Sequence, residues 1–502
     1  MISQRVSDLI TTDVVKTWNK GEVITIRAGT GVGKSYFIKT ILYAFAKKNH
    51  KRILFLIHRN NCVDQFKDEI ITANKADVVD IRTYQSLESL RSVHKKDFDF
   101  SVYDYIVCDE FHYFMSDAAY NKTTDISLNI ILSQSGAIRV FMSATGEYMK
   151  LYINNIEKKV TIDYLLPIDF DFIEKLSFYS SNDSLDTVIE NILKKGEKII
   201  LFIESATLAY ELYLKYKKYA LFNCSKGNEH YYKYVDVYKI KDMLKNEKFD
   251  EAVLITTTCM DAGVNIKDIK IKTIVCDVRD IGVLIQCIGR KRLQLNDDKI
   301  HLIVKTLNNV QLGGIKSKLI IKISKAEFLK NHNVKEYIVK YPRQNDYNDI
   351  VYADTVVEDD KSTHKINELR YLKCKIDIDD IDEMLSFGNY GYCKYLANKF
   401  GFHEDDRFEF DVLEMSKIKD NLNVFLEGMV GISFFQVKDR VELIKKIDVR
   451  SDGKLLKRLN NLNGALEEIK LPYRIIEFPT SRIINGKQKR FPAAWKVVKL
   501  VI

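Results

Sequence analysis

Ala28-Gly29-Thr30-Gly31-Val32-Gly33-Lys34-Ser35 stands between the apolar run Val23-Ile24-Thr25-Ile26 and a helical stretch from Lys34 to Lys47. These eight residues decide the fold. Glycines at 29, 31 and 33 let a loop curl with its backbone N–H groups turned inward, where phosphate oxygens can sit against them. The N-terminus of the following helix adds partial positive charge. Lys34 supplies a cation for β- and γ-phosphates, and Ser35 offers a hydroxyl ligand to Mg²⁺. A glycine-rich turn that binds nothing has no need of the Gly-Lys-Ser ending or of a strand and a helix on its two sides. Residues 28–35 are therefore expected to hold a nucleoside triphosphate.

Working outward, Ile53 to Ile57, Tyr105 to Cys108 and Val140 to Met142 are further continuous apolar runs spaced by helical segments. That pattern predicts a parallel sheet covered on both faces. It then restarts. Lys198 to Ile203, Ala252 to Ile255, Ile271 to Val275 and Ile300 to Val304 read as strands, with helical periodicity through Ala209, Leu212, Tyr213 and Tyr216. Pro167, in the segment Asp163 to Asp171, and Pro342 are two of only five prolines, and they mark the borders of the second unit. The expected organisation is α/β: one parallel-sheet domain over 1–160, a second over 161–335, and a mainly helical accessory region over 336–502. In the last of these, Val441 to Ile447 and Leu455 to Ile469 read as helices. Tyr473 to Phe478 reads as a strand, Asn485-Gly486 as a tight turn and Trp495 to Val501 as a returning strand. Helix, helix, hairpin is the order of a winged helix-turn-helix, so 430–502 is a candidate for one.

The second chemical motif is Tyr105-Ile106-Val107-Cys108-Asp109-Glu110-Phe111-His112. An apolar strand delivers Asp109 at its C-terminal end, where a carboxylate can hold the Mg²⁺ shell. Glu110 is placed to polarise an attacking water as general base, and His112 to link the site to a neighbouring domain. Asp-Glu after a strand is common in isolation. Downstream of a phosphate loop it is specific.

These motifs resemble those of the superfamily-two helicases. Ala28 occupies the first loop position, where the general pattern has glycine and that family shows alanine. Asp109-Glu110-Phe111-His112 resembles the family's Asp-Glu-x-His box, and Ser143-Ala144-Thr145 resembles motif III. Ile57-His58-Arg59 with Gln65 resembles motif Ia, Thr83-Tyr84-Gln85 motif Ib, and Leu201-Phe202-Ile203-Glu204-Ser205 motif IV. Thr256 to Gly263 resembles motif V and Gln286 to Arg292 motif VI. The resemblance covers residues 20–305, and more narrowly the chain resembles DEAD/DEAH-box helicase family proteins of AT-rich bacteria, phages or mobile elements. It implies two tandem RecA-like domains sharing one ATP and Mg²⁺ site. It also implies catalytic roles for Lys34, Asp109, Glu110, Gln286, Arg290 and Arg292, and nucleotide contacts from Asp261 and Gly263. Arg59, Thr83, Tyr84 and Thr257 would line a nucleic-acid track. Motif VI departs from the family pattern, in which two residues separate the arginines; here only Lys291 stands between Arg290 and Arg292, and Leu293 has the usual second position. Arg290 is then the better candidate to reach the γ-phosphate. Arg292 is either the finger through an altered helix start or the partner of an acidic neighbour.

Composition sets bounds on this reading. The chain has 502 residues, 46 % hydrophobic and 29 % charged, with a formal net charge of +9. That suits a polyanionic partner without requiring one. The eight cysteines include no Cys-x-x-Cys pair and read as buried thiols of a reducing compartment. The N-terminus has no apolar signal core and no run is long enough to span a membrane, so a cytoplasmic location is expected. The function expected is an ATP-dependent helicase or translocase, with DNA favoured over RNA by the candidate winged helix alone. Its basic residues Lys454, Lys457, Arg458, Lys487, Lys489 and Arg490 suit a duplex grip or, equally, an ordinary solvated surface. Two other classes fit the same motifs. One is a translocating ATPase subunit that serves a partner nuclease, docked through the C-terminal region. The other is a nucleotide-gated binding module. No glutamine motif is evident upstream of the loop, which leaves the choice among nucleotides open.

Overall fold

The computed structural model describes residues 4–57, 66–67, 69–92, 98–116, 124–260, 264–294, 298–342, 350–354, 363–405, 407–451, 454–469, 471–484 and 486–500. Two compact units emerge, one of Met1–Leu176 with Thr187–Phe410, the other of Ser177–Asp186 with Asp411–Ile502.

The first unit holds both predicted sheets. Strands β1 (Val23–Ala28), β2 (Ile53–Ile57), β3 (Val79–Thr83), β4 (Tyr105–Asp109), β5 (Ile138–Ser143) and β6 (Thr161–Leu166) form one sheet in the order β3-β2-β4-β5-β1-β6. Every pairing in it is parallel. Apolar clusters cover its two faces, one around Ile24, Ile26, Phe37 and Phe55, the other around Leu54, Leu56, Phe111 and Phe141. This two-sided burial is why β2 reads as an unbroken Ile-Leu-Phe-Leu-Ile run; truncating one such residue to alanine costs about 2–5 kcal/mol. Because the strands run the same way, the C-terminal ends of β1, β4 and β5 open on one edge of the sheet, the usual ligand edge of such folds. The chain leaves this sheet after Leu166, and Pro167 follows immediately.

A second sheet begins with β7 (Ile173–Tyr179). With β8 (Lys198–Ile203), β9 (Ala220–Asn223), β10 (Val253–Thr256), β11 (Ile271–Asp277) and β12 (Ile300–Lys305) it follows the order β7-β12-β11-β8-β10-β9. The pairings from β12 through β9 are parallel. Three longer helices complete this unit: Asn309–Asn331, Glu368–Ser386 and Gly391–Lys399. The Glu368–Ser386 helix buries Leu369 among the core residues of the first sheet, with Leu372 and Ile376 packed beside it.

The second unit contains the helices Leu413–Met429, Val437–Ile447 and Leu459–Glu468 and the long hairpin Tyr473–Ile484 with Lys487–Lys499. Strand Ser433–Phe434 pairs with the second arm of the hairpin, giving a three-stranded sheet. Leu426, Leu443, Leu462, Leu466, Ile475 and Val497 form its core. Both hairpin arms are longer than their apolar content suggests. Pro479 and Pro492 look like strand breakers, yet both fall in a register shift next to Phe478 and Thr480, where a ladder tolerates a residue without an N–H. Asn485 of the expected turn lies outside the described residues; Gly486 has φ +73°.

Among the described residues no helix is long and apolar enough to cross a membrane. The seven described cysteines are free thiols, six of them buried; Cys62 lies outside the described residues.

Candidate active site

The phosphate loop leaves β1 at Ala28 and enters the helix at Lys34. Gly31 and Gly33 have φ of +85° and +95°, the left-handed region that side chains with a Cβ avoid. Lys34 is buried, and its Nζ donates to the carbonyls of Ala28 at 2.8 Å and Gly29 at 3.0 Å, so the ammonium lies across its own loop. Burial lowers its pKa, while Glu110 and Asp109 act in the opposite direction. The N-terminal segment packs here too, through Val6 N–H donating to the Val32 carbonyl at 3.0 Å.

Two strands away, β4 delivers Asp109 and Glu110. Glu110 has φ +48°, a strained conformation of the kind that clusters at working sites. Burial and the neighbouring Glu110 charge raise the Asp109 pKa to about 7. Burial also acts against the Glu110 carboxylate, but Lys34, His112 and Arg290 outweigh it and hold that group ionised below the ordinary carboxylate range. An ionised carboxylate is what a general base requires. Asp109 and the Ser35 hydroxyl are hard oxygen donors that suit Mg²⁺, which takes few protein ligands and completes its shell with phosphate and water. Among the described residues no group of three or more His, Cys, Asp or Glu could hold a metal by itself.

From Glu110 a polar network crosses to the second sheet. His112 Nδ1 lies 2.8 Å from Ser143 Oγ and 3.4 Å from Glu110 Oε2, and the Thr145 N–H donates to Ser143 Oγ at 3.1 Å. Opposite stands the helix Ile281–Ile288, which follows β11 and is capped by Asp280 Oδ1 accepting from Val283 N–H at 2.9 Å. Its buried Gln286 places Nε2 3.5 Å from both Glu110 Oε2 and Thr145 Oγ1. Glu110, Thr145 and the Ile281–Ile288 helix thus meet around one side-chain amide.

The two arginines divide their tasks differently from the expectation. Arg290 does not extend across the cleft. It is 3 % exposed and turned onto Gln286, its Nε donating to the Gln286 carbonyl at 3.0 Å and its Nη2 to Oε1 at 2.8 Å. Arg292 does reach the loop: its Nη1 lies 2.8 Å from where a Cβ on Gly31 would stand, while its Nε donates to Asn265 Oδ1 at 2.7 Å. The same approach brings Gly289 so close to Thr30 that a Cβ there would meet Oγ1 at 1.9 Å. Burial, with Arg290 beside it, pushes the Arg292 pKa down to about 10, which leaves it cationic at neutral pH. Lys291, between the two arginines, is buried against Asp298. It is the second arginine, not the first, that lies against the phosphate loop.

The expected nucleic-acid track fares less well. The Tyr84 ring is wholly buried, stacked on Tyr113 at 5.0 Å, with its hydroxyl donating to the Asp109 carbonyl at 2.8 Å. It supports the acidic pair from behind and presents no surface to a ligand. Thr83 uses its Oγ1 to accept from the Ser86 N–H at 3.1 Å, capping the next helix. Thr257 is 7 % exposed and donates its N–H to the Asn223 carbonyl at 3.2 Å. Arg59, Asp261 and Gly263 lie outside the described residues.

One contact beside the site had no signal in the sequence. Lys373, on the Glu368–Ser386 helix, places Nζ 2.9 Å from Asp280 Oδ2 and also pairs with Asp377. Asp280 caps the helix that carries Gln286, so a helix rooted in the first sheet's core is tied to that helix of the second sheet. Tyr148, donating to Asp380 at 3.3 Å, ties the same helix to the first sheet.

Residues 3–79 match the family model described as type III restriction enzyme, res subunit. No curated protein matches. Among solved structures, S. cerevisiae Dbp5 bound to RNA and ADP BeF3 is 16 % identical with a TM-score of 0.46, covering 61 % of this chain and 83 % of that one. Mss116p bound to ssRNA and AMP-PNP is 16 % identical with a TM-score of 0.43, covering 64 % of this chain and 80 % of that one. The DUF1998 helicase MrfA bound to DNA and AMPPNP is 16 % identical with a TM-score of 0.42, covering 66 % of this chain and 49 % of that one.

Two sheets of parallel strands thus gather a phosphate loop, an acidic pair and an arginine-bearing segment at their facing edges.

Proposed function

We propose that the protein is a DNA-stimulated ATPase that couples hydrolysis between its two RecA-like domains to movement along a strand. The observation that carries this reading is the meeting of Glu110, Thr145 and Gln286, with Arg292 laid against Gly31 of the loop. Residues 28–35 bind the phosphates, with Lys34 leaving its loop carbonyls for the β- and γ-phosphates. Mg²⁺, when bound by Ser35 and Asp109, supplies charge neutralisation at the phosphates. Glu110 accepts the proton of the attacking water, Gln286 orients that water, and Arg292 stabilises charge developing on the transferred group. Arg290 holds the Gln286 side chain in place. Loss of the γ-phosphate removes the anion between Arg292 and the loop, and the two domains part.

A DNA substrate is supported by the cationic second unit and by the description of the matched family model. The helices and hairpin of that unit follow the order of a winged helix, which we adopt as its reading. Free, mostly buried thiols suit a cytoplasmic location. The restriction-enzyme description also favours a second reading, translocation on behalf of a partner nuclease without strand separation. A strand-displacement assay run beside a translocation assay separates the two: displaced strand supports a helicase, movement without displacement supports the partnered translocase.

A further inference from the structure

The hairpin of the second unit contains Arg474, Arg482, Lys487, Lys489, Arg490, Lys496 and Lys499 against one acid, Glu477. Its inner half is structural: Tyr473, Ile475, Trp495 and Val497 enter the core, and Lys499 pairs with Glu427 at 2.8 Å. The outer half is different. Residues 481–483 and 486–490 are all exposed, Ile483 at 77 %. A two-stranded ribbon that buries so little is marginal by itself. Its register makes matters worse, since Arg482 and Lys489 are directly opposite partners, and like charges across a ladder repel.

That repulsion is held in place by packing. The Arg482 guanidinium lies 4.3 Å from the centre of the Phe435 ring and Lys489 Nζ 5.6 Å from that of Phe491, with the two rings 5.3 Å apart. Both cations are thus fixed on one face, and Lys487, two residues from Lys489, projects from the same face. Among the described residues no carboxylate lies within ion-pair reach of Arg482, Lys487, Lys489 or Arg490. Two residues of strand rise about 6.8 Å, commensurate with two steps of about 3.4 Å along one strand of a duplex. Phe435 and Phe491 are covered by the cations, so the face offers charge and no stacking platform for an unpaired base.

We propose that this face of the hairpin, Arg482, Lys487 and Lys489, is a second nucleic-acid site that grips the phosphate backbone of a duplex without reading its sequence. It rests on the reading of the protein as a nucleic-acid-dependent ATPase and adds the substrate form: a duplex, held by the second unit. A two-stranded ribbon fits a duplex groove, and its cations meet the phosphates at the rim.

The test uses the full chain and fluorescence anisotropy with a duplex DNA, a duplex RNA and a single strand of equal length, at several salt concentrations. Wild type is compared with Arg482→Gln/Lys489→Gln and with Lys487→Gln, which leaves both ring contacts in place. Counterion release makes two lost contacts worth about 30-fold in duplex affinity at 0.15 M salt and about 1.8 in the salt slope; one lost contact is worth about half that slope. Thermal stability of the double variant should hold or rise, because a repulsive pair has gone. Unchanged duplex affinity and slope in both variants, or equal losses on single strand and duplex, overturn the proposal. So does an equal loss of binding to poly-glutamate, which would make the face a general anion or acidic-protein site. The two proposals fail separately. A wild-type ATPase deaf to every nucleic acid refutes the function proposed above while leaving the duplex measurement to stand, and a stimulated ATPase with unaltered variants refutes only the hairpin.

Discussion

Replacing Arg292 with alanine is the sharpest perturbation the site allows. Its guanidinium is the group from the second domain that lies against the phosphate loop, 2.8 Å from the position of a Cβ on Gly31. An arginine that stabilises phosphoryl-transfer charge contributes about 10³–10⁵ in kcat. Arg290 stays behind, and its charge already acts on both Lys34 and Glu110, so the lower end of that range applies. The expected loss is about 10³-fold in kcat, equivalent to about 4 kcal/mol of transition-state stabilisation. The KM for ATP should move by less than about fivefold, because finger contacts strengthen in the transition state. Phosphate release at saturating ATP gives the first number, and titration with a fluorescent ATP analogue checks the second. Arg290→Ala serves as the comparison. It leaves buried Gln286 Oε1 without its donor, a cost of about 1–3 kcal/mol that should register in thermal stability as well as in turnover. Arg292→Ala turning over within about threefold of wild type would refute the division of labour between the arginines.

Three further outcomes are expected. Glu110→Gln should bind ATP normally and hydrolyse it about 10²–10⁴-fold more slowly, as loss of a general base requires; wild-type turnover would remove Glu110 from that role. Lys373→Met leaves Asp280 and Asp377 without their cation and should cost about 3 kcal/mol of stability together with nucleic-acid stimulation of kcat, whereas Lys373→Arg restores both in part; full stimulation in the methionine variant would make this contact purely structural. Asp163 is partly buried, which acts to raise its pKa, but Arg27, Lys150 and Thr25 more than offset this and hold it low. A depressed carboxylate stabilises the fold above its unfolded pKa of about 3.9 and loses that contribution as the pH falls through the folded value. Asp163→Asn should therefore lower the melting temperature at pH 7 by the equivalent of about 2 kcal/mol, and the gap from wild type should begin to narrow below about pH 4; a gap that keeps its pH 7 size at pH 2 would contradict it.

How much of this was legible beforehand follows from where each signal resides. Strands covered on both faces are continuous in the sequence, so β2 emerges with its observed bounds Ile53–Ile57. β3 and β6 are the two edges of the same sheet, and Asp80, Arg82 and Asp163 interrupt their apolar pattern, so neither stood out. The helix after the loop is legible as one stretch, but its wider turn at Ile38–Leu42 is a hydrogen-bond shift that composition does not record. In the site, local motifs located Lys34, Asp109, Glu110 and Gln286. What spacing could not say is where a side chain turns. Tyr84 has the polarity of a binding residue and is consumed by packing against Tyr113, and Arg290 folds onto its own helix. The Lys373–Asp280 pair joins distant segments with no shared pattern, and only the folded chain brings it together.

The central claim is that hydrolysis at the Glu110–Gln286–Arg292 site is driven by nucleic acid. ATP turnover measured alone and with single-stranded DNA, duplex DNA and RNA tests it most directly. At least a tenfold rise with DNA, smaller with RNA and absent in Arg292→Ala, is the expected result; a rate indifferent to all three nucleic acids would contradict it.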